Sequence, residues 1–180
     1  MRRISYRIGQ FFRVSAASLS PLSAAEAAEA RAHLPATAWP LFAATARADQ
    51  RHGLSVLRAM LAAGHTESAL LQAALLHDCA KTAGGVRLWQ RVAAVLLKAF
   101  APRRLARLAA QPAPRPADPR RGLWDYVNHP QRGAELAAVA GCDPLAVALI
   151  VQHQERGAVF PDDPLARQLL VALQAADEDN

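Results

Sequence analysis

The sequence predicts an all-α single domain, and three observations carry that reading. Apolar residues recur at helical spacing in segment after segment, several of them opened by a capping residue or proline or closed by glycine or proline. No run alternates apolar and polar residues over the length of a strand. Glycine accounts for only 9 of the 180 residues while alanine fills many segments, a balance that favours helix.

Taken in order, Ser23 and Glu26 form a capping-box pattern that opens a helix ending near Leu34, ahead of Pro35. Trp39 to Arg47 reads as a short helix. Asp49 to Ala63 follows, with Leu54, Leu57, Met60 and Leu61 at helical spacing and Gly64 as its stop. Thr66 can cap the next, Glu67 to about Lys81, which Gly84 and Gly85 terminate. Val86 to Phe100 is a further apolar helix, and Pro102 breaks the chain before a segment Arg103 to Ala110. Pro112, Pro114, Pro116 and Pro119 mark a loop. Helices are then expected over Leu123 to Asn128, Pro130 to Ala140, Pro144 to Glu155 and Pro164 to Asp177. In the last two, Asp143 and Asp163 each stand as N-cap before a first-turn proline.

Residues 1–47 read as a helical extension packed on a domain formed by residues 48–180, because they offer too little apolar surface for a core of their own. Within that extension Ile4, Ile8, Phe11 and Phe12 share one helical face among Arg2, Arg3, Arg7 and Arg13. Such a basic amphipathic segment either makes weak contact with a membrane surface or braces the domain.

Composition sets outer bounds. Hydrophobic residues at 52% and charged residues at 20% exclude a disordered chain. No stretch reaches the 18 or so apolar residues of a membrane span. Cys79 and Cys142 match no metal-binding cysteine spacing and read as buried free thiols, which fits a reducing cytoplasm. The net charge of +6 permits a phosphate-bearing partner without demonstrating one.

Six histidines carry the candidate chemistry. His77 is followed at once by Asp78 after the apolar run Leu70 to Leu76, and burying an imidazole beside a carboxylate is costly unless each finds a partner or a metal. Lys81, one of only two lysines, stands one helical turn on. His52, His129, His153 and Asp177 recur at intervals of about one helix plus a turn, or two, so several helices can each present one ligand to a common point. His33 and His65 lie at helix ends and read as surface residues, and Asp179 is the other candidate for the terminal carboxylate.

The segments Asp49-Gln50-Arg51-His52, Ala73 to Lys81 around His77-Asp78, and Ala175-Ala176-Asp177 resemble the HD-domain superfamily of metal-dependent phosphohydrolases. The resemblance runs from about Gln50 to Asn180. The segment beginning His129-Pro130 and the segment Val151 to Glu155 are similar to the additional histidine motifs of its cyclic-dinucleotide phosphodiesterase branches, with Gln154 standing where those have a second histidine. The resemblance implies a helical HD-domain bundle with His52, His77, Asp78 and Asp177 as ligands of a first divalent metal. It implies His129 and His153 as ligands of a second, with Asp78 bridging and Lys81 stabilising charge on a phosphate oxygen. The implied ion or ions are Fe, Mn, Co, Ni or Zn. The implied activity is hydrolysis of a nucleotide-like phosphoester, the substrate being a phosphorylated small molecule such as a nucleotide or dinucleotide, through a metal-activated hydroxide. The alternative is a signalling or scaffold module that keeps a metal but has lost catalysis.

Between residues 87 and 121 nine basic residues face only Asp118. This reads either as a solvated face or as a phosphate-recognition rim. No recognition motif or stacking pattern accompanies the charge, so a duplex nucleic acid is not expected as partner. Trp89 and Trp124 bracket the segment and read as core or interface anchors.

Overall fold

The structure is a computed structural model that describes residues 20–81, 88–115, 117–155, 157, 159–160 and 162–180. Among these residues every regular element is a helix, as predicted. In chain order they are α1 (Ala24–Ala32), α2 (Trp39–Ala43), α3 (Arg47–Ala62), α4 (Ser68–Leu76), α5 (Leu88–Phe100), α6 (Pro102–Ala109), α7 (Arg121–Val127), α8 (His129–Val139), α9 (Pro144–Gln152) and α10 (Pro164–Asp179). The basic amphipathic segment around Phe11 and the stop at Gly84 and Gly85 lie outside the described residues.

The predicted caps explain several starts. Ser23 Oγ accepts from the Glu26 amide at 3.2 Å while the Glu26 carboxylate accepts from the Ser23 amide at 2.9 Å, a complete capping box. Asp143 and Asp163 accept from the amides of Leu145 and Ala166, ahead of Pro144 and Pro164. Gly64 closes the α3 turn with φ of 86°, a conformation in which a side chain would be strained. Thr66 does not cap α4: Glu67 occupies the N-cap position, its carboxylate turned back onto the Thr66 amide.

The predicted end of α4 is also corrected. The helix stops at Leu76, with His77 as its C-cap, and residues 77–80 form turns instead of continuing to Lys81. The apolar pattern runs on through Cys79 and Ala80 because these turn residues are buried as deeply as the helix before them.

α4 is the axis of the domain. Every residue from Ala69 to Ala80 is buried. It is enclosed by α3, α9 and α10, with α2 also against it, and α8 packs on α9 from outside. Leu54 and Leu57 from α3, Leu149 and Ile150 from α9, and Leu169 and Leu173 from α10 meet Leu70 and Leu76. Each fully buried side chain of this kind contributes about 1.5–3 kcal/mol relative to exposure. Ala30, Leu34, Ala38 and Phe42 join the same core, so residues 30–42 cover the helices that follow them. α5, α6 and α7 pack on one another beside this bundle, linked to it where α7 meets α8.

Candidate metal centre

All six predicted ligands converge at one end of α4. His77 and Asp78 leave it in the turn that closes the helix. His52 comes from the second turn of α3, and Gly53 allows α3 to lie against the α4 backbone there. A Cβ on Gly53 would stand 2.9 Å from the Leu75 carbonyl oxygen. His129 opens α8 directly after α7, and His153 caps α9. Asp177 lies near the end of α10, whereas Asp179 is exposed and takes no part.

The ligand atoms form two groups that share Asp78. In the first, His52 Nε2 lies 3.2 Å from His77 Nε2 and 2.8 Å from Asp177 Oδ1, and His77 Nε2 lies 3.3 Å from the same oxygen. Asp78 Oδ2 stands 3.7 Å from His77 Nε2. In the second, Asp78 Oδ1 is 3.1 Å from His129 Nε2 and 3.9 Å from His153 Nε2, and the two imidazole nitrogens are 3.3 Å apart. Ligand atoms at about 2.1 Å from one ion stand about 3.0 Å apart for cis octahedral ligands and about 3.4 Å apart for tetrahedral ones. In each group most pairs stand near that spacing, with Asp78 farther out at 3.7 Å from His77 and 3.9 Å from His153, so the donor set could hold a divalent ion.

Helix ends determine which nitrogen each histidine presents. The last carbonyls of a helix lack intrahelical partners. His77 Nδ1 contacts the Ala74 oxygen at 3.1 Å, His129 Nδ1 the Tyr126 oxygen at 2.6 Å, and His153 Nδ1 the Ile150 oxygen at 2.7 Å. A carbonyl cannot donate, so each Nδ1 carries the hydrogen and donates it. Each Nε2 is thereby turned to the centre, the orientation typical of metal-bound histidine. Lone pairs and carboxylate oxygens at these distances are held together by a shared proton or by a cation.

In the metal-free protein the electrostatics place a proton among these groups. Burial works against a charged His77, but Asp78 and Asp177 outweigh it and raise its pKa to about 9. Burial would raise the Asp78 carboxyl, yet Lys81, His77 and His129 hold it well below the ordinary carboxylate value. Asp177 is likewise held low, by His52 and His77 against its burial. His153 goes the other way: burial and the neighbouring His77 lower it to about 3, so it stays neutral and available as a ligand.

Compared with family models, curated proteins and solved structures, the chain matches none. The centre therefore has to be read from its own residues. Lys81 lies 2.6 Å from Asp78 Oδ2 and over the Tyr126 ring, so one of its three donors serves the shared carboxylate. His33 and His65 are half-buried, away from the centre. Cys79 and Cys142 are buried free thiols, and burial pushes the Cys79 thiol up to about 12. Trp89 is no core residue: it is 54% exposed, while Trp124 is half-buried with Arg121 and Arg132 against its ring.

Three supporting residues escaped the sequence reading. Gly53 sets the α3–α4 approach. Asp125, wholly buried, takes Arg121 at 2.9 Å and also Arg132, and so fixes the α7–α8 junction that aims His129. Gln174, one turn before Asp177 on α10, donates to the carbonyls of His153 and Glu155 at 3.2 and 2.7 Å and holds the turn that carries His153. The Arg at i−4 from Asp125 was the only local signal for any of them.

A cleft of about 820 Å³ adjoins the His129 and His153 side. Its walls include Lys98 from α5, Tyr126 and Asn128 before His129, and Gln152 and Gln154 around His153. Gln154 Nε2 lies 3.4 Å from His129 Nε2, placing a neutral amide between cleft and centre.

Proposed function

We propose that this protein is a metal-dependent phosphohydrolase or phosphodiesterase of the HD-domain type, acting on a nucleotide-like phosphoester. The observation that carries the reading is the pair of buried ligand groups sharing Asp78, next to a cleft with a cation and several amides on its walls. His52, His77, Asp78 and Asp177 would hold one divalent ion, and Asp78, His129 and His153 a second. When bound, such ions acidify water and neutralise phosphate oxygens.

The chain's own groups supply the rest. The three Nδ1 bonds to helix-end carbonyls keep the imidazoles oriented while substrate enters and leaves. Lys81 fixes Asp78 through one hydrogen and has two more donors for a phosphate oxygen. Lys98 adds positive charge on the cleft wall, and Asn128, Gln152 and Gln154 offer donors and acceptors to a polar group.

The test is a panel of mononucleotides, dinucleotides, cyclic dinucleotides and simple phosphoesters, assayed with Mn²⁺ on metal-loaded protein. Turnover that Asp78→Ala abolishes supports the reading. A loaded site with no turnover on any member would reject hydrolysis and leave a silent metal-binding module.

A further inference from the structure

Lys81 carries a compact charge on a flexible stem, and two groups fix where that charge stands. One is Asp78, whose Oδ2 accepts from Lys81 Nζ at 2.6 Å. The other is Tyr126, whose ring centroid lies 5.6 Å from the same nitrogen. Tyr126 belongs to the last turn of α7, just ahead of His129. Its backbone carbonyl accepts the His129 Nδ1 hydrogen at 2.6 Å, and its ring lies 5.9 Å from the His129 imidazole. The side chain is half-buried and forms part of the cleft wall. One residue therefore meets the lysine, a metal-ligand candidate and the cleft, and its ring has no task in holding either ion.

We infer that Tyr126 is a positioning residue, whose ring holds the Lys81 ammonium beside the cleft with donors free for a phosphate oxygen. The inference rests on the reading of this centre as a phosphoester site. An aromatic ring attracts a cation through its negative face while accepting no strong hydrogen bond. Asp78 takes one of the three ammonium hydrogens, and the ring leaves the other two available. A second carboxylate in place of the ring would occupy those donors and cancel the charge that attracts phosphate. An aliphatic side chain would fill the space without attracting the charge. The ammonium would then be tethered by Asp78 alone, and part of its attraction for phosphate would be lost to ordering the stem.

Because Lys81 and Lys98 are the only lysines, the contact can be observed directly. NMR of the metal-free full chain, isotopically labelled in lysine, should show the Lys81 ε-methylene shifted upfield by the ring, apart from that of exposed Lys98. Tyr126→Phe should keep the shift and Tyr126→Leu should remove it. Inorganic phosphate is the probe of function, titrated calorimetrically into Mn²⁺-loaded protein. Tyr126→Leu should weaken phosphate binding about fivefold, while Tyr126→Phe stays near wild type. Lys81→Met should weaken it about tenfold or more. Adding Tyr126→Leu to Lys81→Met should weaken it no further, because the ring acts through the lysine. Mn²⁺ stoichiometry should be unchanged in Tyr126→Leu and Tyr126→Phe, since the carbonyl that holds His129 is backbone and remains. An intact phosphate cycle in a protein that hydrolyses no phosphoester would reject the hydrolase reading and leave Tyr126 its role. An unmoved Lys81 signal in Tyr126→Leu, equal phosphate affinity in Tyr126→Leu and Tyr126→Phe, or the same loss on the Lys81→Met background would overturn the inference. So would a wild-type protein that binds no phosphate in the presence of Mn²⁺.

Discussion

Replacing Gly53 by alanine sets two physical effects against each other. Gly53 lies inside α3, and on helix propensity alone the change should stabilise the protein by about 1 kcal/mol. The neighbour decides otherwise. The new Cβ would meet the Leu75 carbonyl oxygen at 2.9 Å and the Leu75 Cα at 3.4 Å, both rigid backbone atoms of α4. Carbon–oxygen contacts of this kind settle at about 3.3 Å or more, so α3 has to withdraw by several tenths of an ångström. Overpacking of this order costs about 1–3 kcal/mol, leaving a net loss of about 1 kcal/mol. Gly53→Val should lose about 3 kcal/mol. Urea unfolding of metal-free protein measures both. The withdrawal also carries His52 away from His77, so the first ligand group should bind metal more weakly while the group built on His129 and His153 is little affected. A Gly53→Ala protein about 1 kcal/mol more stable than wild type, with unaltered metal binding, would refute the argument that this glycine sets the approach.

Two further outcomes follow from the same geometry. Asp125→Ala removes a buried carboxylate between two arginines that are themselves partly exposed and can be rehydrated, so the loss should be about 2–3 kcal/mol, with His129 losing its aim; calorimetry should show a midpoint lower by about 4–12 °C. The metal-free protein should be most stable near pH 6.5, as urea midpoints across pH would show. The raised His77 stabilises the fold below its ordinary value and that contribution is lost as pH rises toward 9, while the lowered His153 disfavours the fold as pH falls from 6.5 toward 3. The depressed Asp78 and Asp177 add a second acid loss below their ordinary value of 3.8. Bound divalent ion takes the place of the His77 proton and should flatten the alkaline limb.

His77, His153 and Asp177 were legible as titratable side chains at the end of apolar runs, where a chemical reason is needed for their position, and His52 and His129 from their intervals of about one or two helices. The boundary of α4 was not, because His77 to Ala80 are buried and continue the apolar pattern after the helix has ended; the pattern reports burial, and only the imidazole on the Ala74 carbonyl marks the stop. Gly53 reads in sequence as a helix weakened by one glycine, and its value appears only when α4 lies against it. Asp125 depends on Arg132 across a helix junction, and Gln174 on carbonyls some twenty residues away, contacts that no local spacing encodes. For Trp89 the sequence left core and interface open, because it does not say whether a helix face is covered by the protein itself; at 54% exposed, Trp89 is not core.

The central claim is that the two buried groups around Asp78 bind divalent ions. Calorimetric titration of metal-free protein with Mn²⁺ tests it most directly, comparing wild type with His153→Ala and Asp78→Ala. Two ions per chain are expected for wild type, one for His153→Ala, and loss of tight binding for Asp78→Ala, which both groups share. A wild-type protein that takes up no ion, or three proteins with the same stoichiometry, would contradict it.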